Sequence, residues 1–252
     1  MFDWLQKSFQ QNSILWLLVS SIIGGIIGAM TKLIFDVILP QKLQNSLQVK
    51  KVVEKYRNPI LRASLDLQSR LYNIVDQSFL QIYCHRSDVD KEYAITSTLY
   101  VFAEFLAWTE ILRREVQFLD FGNAKSNQEL ERLLGNISRQ FTSDALNFTF
   151  RLPKGQQRAI GEIMIVEGES LECIGFAKFA SKLENEPDFS RWFSSLKEDI
   201  RVLASQPKNY GERLQDDQRL VEIYNALVKL LEFLDPNYVY VPKKRMKVLA
   251  SL

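Results

Sequence analysis

Histidine and cysteine are nearly missing from this chain. His85 is the single histidine among 252 residues, and Cys84 and Cys173 are the only cysteines. Two distant thiols, neither in a CxxC nor in a Cys/His cluster, build no disulfide framework and suit a reducing compartment. His85 has Asp88 and Asp90 nearby, but three loosely spaced groups at a helix start define no metal site. A Ser-His-Asp or Cys-His arrangement would have to use that one imidazole. No GxSxG marks a nucleophile. GxxxxGK[ST] and GxGxxG are absent as well, so no phosphate loop and no cofactor is implied. Only 10 Gly and 7 Pro punctuate the sequence, which favours long helices over many short strands. The formal net charge of +2 is too small to make nucleic acid a main partner.

What the chain does have is apolar mass. Hydrophobic residues make up 46%, with 16 Phe, 9 Tyr and 4 Trp, enough for a real core. Ser13 to Thr31, SILWLLVSSIIGGIIGAMT, carries no charge, and the apolar character continues past Lys32 to Leu39. A bilayer core takes about 20 residues of helix. After a short segment 1–12, residues 13–39 therefore read as a single transmembrane helix, with Lys32 able to snorkel to the headgroups. A core helix of a soluble protein and a signal peptide are the alternatives. The basic start is weak, with Lys7 offset by Asp3, and no A-x-A-like site follows, so an uncleaved anchor is expected. Lys32, Lys42, Lys50, Lys51, Lys55 and Arg57 stand after the span, which by the positive-inside rule puts the C-terminal bulk in the cytoplasm. On that topology the acceptor patterns Asn136-Ile-Ser138 and Asn147-Phe-Thr149 are chance matches.

Small residues in the span are ordered. Ser20, Gly24 and Gly28 repeat every four positions, as do Ser21, Gly25 and Ala29 one step around the helix. Such columns share one face, and in lipid they allow a second helix to come close. The partner this predicts is a copy of the same helix or the span of another membrane protein.

Residues 40–57 read as a basic juxtamembrane connector after Pro40. Lys50, Lys51 and Lys55 lie where anionic lipid would gain about 1 kcal/mol from each. Residues 58–236 read as an all-α cytoplasmic bundle of about six or seven helices. Asn58-Pro59 has the form of a helix start. Tyr93 to Leu119 is apolar nearly all round; Glu104 and Glu110 inside it favour a central bundle helix over a second span. Phe121-Gly122-Asn123 breaks that helix, and Ser126 with Glu129 forms a capping-box pattern for the next. Residues 156–183 admit two short helices or a hairpin; the rhythm of Leu171, Ile174, Phe179 and Leu183 favours helices. Further helices are expected from Pro187 and over 212–234. The tail 237–252 carries Lys243, Lys244, Arg245 and Lys247, suited either to headgroup contact or to a solvated terminus.

Candidate chemistry is confined to charges on apolar helices: Glu104, Glu110 and Glu162 among the acids, Arg70, Arg113 and Arg158 among the bases. Buried charges are costly unless paired, so interhelical salt bridges are the first expectation. A pocket for a small anionic ligand at Arg70, Arg113 and Arg158 is the functional alternative. A carboxylate hydrolase on Glu104 and Glu110 is disfavoured, because six residues put them on different helix faces. The leading expectation is a membrane-anchored interaction or scaffold protein. A ligand-binding membrane sensor comes second, and an enzyme with a carboxylate site third.

Overall fold

A computed structural model describes residues 13–33, 36, 39–115, 124–209, 211–212 and 214–250. The segment 1–12 and the break at Phe121-Gly122-Asn123 lie outside the described residues. The chain divides into two compact units, Met1–Lys51 and Val52–Leu252.

The first unit holds helix α1, Ser13–Leu33. Its side chains are described from Val19 to Lys32, and every one of them is exposed. Helix α2, Leu39–Val75, follows. Pro40 does not close α1. It falls in the first turn of α2, where the missing N–H would have had no partner anyway.

Among its described residues the second unit is all-α apart from one two-residue strand pair. Here α2 runs straight through Asn58-Pro59, so that dipeptide starts no helix. An interior proline costs a helical hydrogen bond. Burial of Tyr56, Ile60, Leu61 and Ala63 around it outweighs that cost, and Arg57 donates to the Leu234 carbonyl. Helix α2 ends at Val75 for a reason distant in sequence. Lys208 Nζ donates to Ile74 O at 3.1 Å, and Gly211 N donates to the carbonyl of Asp76, just past the helix, at 3.0 Å. Ser78, at φ 53°, donates its hydroxyl to Asn209 O and turns the chain into α3, Phe79–Cys84.

Helix α4, Asp88–Glu115, is the spine of this unit. By length and hydropathy it is the one helix among the described residues that would qualify to cross a membrane, but 72% of its apolar window is buried against protein. It is the central bundle helix that its pattern predicts. Helix α5, Ala124–Thr142, begins two residues before the capping-box Ser126. The 156–183 stretch contains both of the structures its sequence allowed. Helix α6, Lys154–Ile163, and helix α7, Phe176–Asn185, flank a hairpin of β1 (Ile165–Val166) and β2 (Glu172–Cys173). Ile165 pairs with Cys173 and Val166 with Glu172. Helix α8, Pro187–Ser190, passes through a 3-10 turn into α9, Ser194–Ser205. Helix α10, Gln218–Leu234, completes the core. Two aromatic groups fill it. Phe102 stacks on Phe150 and meets Phe141 edge-on, while Phe179 packs edge-on with Tyr100, Phe189 and Phe193.

Two polar devices lie inside this apolar packing. Arg219, fully buried at the start of α10, donates to the carbonyls of Gln140, Ser143, Asn147 and Thr149. It thereby satisfies the open C-terminus of α5 and fixes the loop behind it. Lys208 and Asp217 form an ion pair at 2.6 Å with both side chains fully buried.

Helices α4 and α6 cross at Gly161. A Cβ there would lie 2.7 Å from Leu106 O and 2.9 Å from Glu110 Cβ. Neither is the free end of a flexible chain, so Gly161→Ala is expected to destabilise by about 1–3 kcal/mol. Gly135→Ala, where a Cβ meets nothing within 4 Å, is expected to gain about 0.5–1 kcal/mol from helix propensity. Denaturant unfolding of both variants checks the crossing; equal effects would contradict it.

Candidate functional site

The α4–α6 crossing buries Glu110, which is 3% exposed. Arg113 grips it with two bonds, Nε to Oε2 at 2.7 Å and Nη2 to Oε1 at 2.5 Å. Arg114 Nε donates to Oε1 at 3.1 Å, and Arg158 Nε stands 3.9 Å from Oε2. Arg114 also reaches Glu162 at 3.9 Å and Glu167 at 3.7 Å. Burial alone would raise the Glu110 pKa. The hydrogen bonds and charges of Arg113 and Arg114 outweigh it and hold the carboxyl below its ordinary range. The bond to Glu110 in turn raises the Arg113 guanidinium.

Arg70 is elsewhere. Its guanidinium carbon lies 4.2 Å from the centre of the Phe79 ring, and Nη1 is buried without a hydrogen bond. Burial lowers its pKa, against the charge and hydrogen bond of Tyr93. The structure thus brings Arg113 and Arg158 together, around Glu110, and leaves Arg70 out. Glu104 faces away from Glu110 toward other neighbours. Tyr100 donates to its Oε1 at 3.2 Å, and burial, with Asp66 close by, pushes the carboxyl up. Cys173 is pushed up to about 12 by burial and by Glu104, which makes it an inert thiol. Cys84 is also raised by burial. His85 Nδ1 bonds to Gln81 O on an exposed turn. Among the described residues no three His, Cys, Asp or Glu side chains are gathered to hold a metal ion.

In α1, Ser20, Ser21, Gly24, Gly25, Gly28 and Ala29 are all exposed, and a Cβ at any of the three glycines would meet nothing within 4 Å. Of the cations expected beside a membrane, Lys50 and Lys51 belong to α2, but their side chains lie outside the described residues. Lys55 is exposed and sits over the Tyr56 ring at 5.3 Å.

The C-terminal segment is docked and not frayed. Val241, Met246 and Leu249 are buried. Gln68 Nε2 donates to Arg245 O at 2.9 Å, and Tyr224 Oη to Lys247 O at 3.1 Å. Asn225 holds Leu249 through both its N–H and its C=O. Asp235 accepts the backbone N–H groups of Val239, Tyr240 and Val241 at the turn that launches the segment. Burial would raise the Asp235 pKa; those three donors, with Arg57 nearby, bring it down instead. A 3-10 turn carries Lys243, Lys244 and Arg245 outward. Sequence reasoning named these cations and missed their fixing, because the signals were single polar residues in other helices.

No protein-family model, no curated protein and no solved structure matches this chain.

One acid reports on the interior. Asp199 accepts the Phe150 N–H at 2.9 Å, and its pKa is pushed up to about 6, chiefly by burial, from an ordinary 3.8. A carboxyl raised in the folded state binds its proton before the unfolded chain does. Its ionised form therefore costs stability at neutral pH, and the cost fades as pH falls from about 7 to about 4. Asp199→Asn keeps an oxygen for Phe150 and removes the charge. It is expected to be more stable than the parent by about 1–2 kcal/mol at pH 7 and no more stable near pH 4. Unfolding midpoints of both chains across that range check this; a difference independent of pH would contradict it.

Proposed function

We propose that this protein is a membrane-anchored interaction module that pairs, through α1, with a copy of itself or with another membrane span. One observation carries the reading. Ile22, Ile23, Ile26, Ile27 and Met30 are 51–61% exposed on a helix with no compensating polar face. In water, apolar area of that kind costs about 25 cal/mol per Å²; in hydrocarbon it costs nothing. The open columns of Ser20, Gly24, Gly28 and Ser21, Gly25, Ala29 offer a surface where a second backbone can approach closely.

The lysines after the span put the helical domain in the cytoplasm. Lys55 and the exposed cations of the C-terminal segment then suit an anionic headgroup surface. The net charge of +2 gives nucleic acid little support as a partner. A small anion acting at Arg113 and Arg158 gains little support, because Glu110 already occupies both.

Gly24→Leu and Gly28→Leu fill the columns without altering hydropathy adversely. Each is expected to reduce crosslinked oligomers in membranes severalfold. Ile27→Leu, off the columns, is expected to leave them unchanged. Oligomers that persist in both glycine variants would remove the strip as the contact.

A further inference from the structure

The docked C-terminal segment forms one wall of a groove of about 590 Å³, and α2 forms the other. Lys244, Arg245 and Lys247 line one side; Ser69, Asn73 and Asp76 line the opposite one. We infer that this groove binds a phosphate monoester of a hydroxylated molecule, such as a glycerol or sugar phosphate or the same chemistry on a lipid headgroup.

Three observations combine. First, the cations are uncommitted. None of the ion pairs among the described residues involves Lys244, Arg245 or Lys247. That contrasts with Arg219, Lys208, Arg113 and Arg114, which are all engaged. Second, their backbone is fixed. Gln68 and Tyr224 hold the carbonyls of Arg245 and Lys247, and Asn225 holds Leu249. A preorganised cluster avoids the ordering cost that a loose tail would meet on binding. Third, the charge and size fit. Three cations against the single Asp76 carboxylate suit a dianion better than a monoanion, and phosphate is recognised through such charge-assisted bonds. The volume lies within the range of small-molecule sites, roughly 300–1,000 Å³. Ser69, Asn73 and Asp76 offer donors and acceptors to the hydroxyls of the rest of the ligand. Asp76 also keeps its own contact, accepting from Gln77 Nε2 at 2.7 Å.

This goes beyond the anchor reading, and neither depends on the other. The test uses the full chain in nonionic detergent, titrated calorimetrically with inorganic phosphate, with glycerol 1-phosphate, and with dihexanoyl phosphatidylinositol 4-phosphate in the micelle. Saturable binding to at least one probe is expected. A response to the soluble monoester alone assigns a free metabolite, and a response to the micellar lipid alone assigns a headgroup. The double variant Lys244→Gln/Arg245→Gln is expected to weaken binding tenfold or more. Lys243→Gln is expected to stay within twofold, since Lys243 sits over the Tyr238 ring and lines no part of the groove. Asn73→Leu narrows the groove at an exposed position without changing charge, and is expected to weaken binding at least fivefold. No saturable binding to any probe, or binding undiminished in Asn73→Leu, would overturn the inference. Equal losses in Lys243→Gln and the double variant would also overturn it, by showing general surface charge.

Discussion

A fully buried guanidinium, that of Arg219, holds the irregular segment behind α5 in place. Its four carbonyl partners come from the end of α5 and from the loop up to Thr149. That loop leads into α6, whose Gly161 seats against α4 and sets the geometry around Glu110. On the other side, Arg219 fixes the first turn of α10, and the same helix presents Tyr224 and Asn225 to the C-terminal segment. Both the arginine cluster and the basic groove are thus reached from one anchor. Burying a guanidinium is costly unless its donors are satisfied, and once they are, removing it takes the donor from four carbonyls at once.

Several cations are committed to the fold: Arg219 meets carbonyls, Lys208 meets Asp217, and Arg113, Arg114 and Arg158 meet Glu110. At the surface beside α2, Lys244, Arg245 and Lys247 line a groove on a fixed backbone.

Much of the architecture was legible because it rests on local pattern. The apolar run of α4 and its interrupting glutamates read as a central helix, and the Pro187 start and the α10 rhythm were equally plain. Interhelical salt bridges were the expectation for the buried charges; Glu110 takes its closest partners, Arg113 and Arg114, from its own helix, with Arg158 of α6 at 3.9 Å. What was not legible is long-range. Asn58-Pro59 has a strong local signature for a helix start, yet burial on both sides carries α2 through it. The end of α2 depends on Lys208, far along the chain, and the α5 loop on Arg219. Arg70 was grouped with Arg113 and Arg158 as a pocket residue and lies over Phe79 instead. Nothing in the pattern of the tail announced that Gln68, Tyr224 and Asn225 would hold it.

Equilibrium unfolding of Arg219→Met tests the account most directly. Methionine keeps the apolar stem and strands the carbonyls of Gln140, Ser143, Asn147 and Thr149. The expected loss is about 3–5 kcal/mol, with amide exchange in residues 143–150 rising ahead of the rest of the domain. A variant within about 0.5 kcal/mol of the parent, with that loop still protected, would contradict the central role given to this side chain.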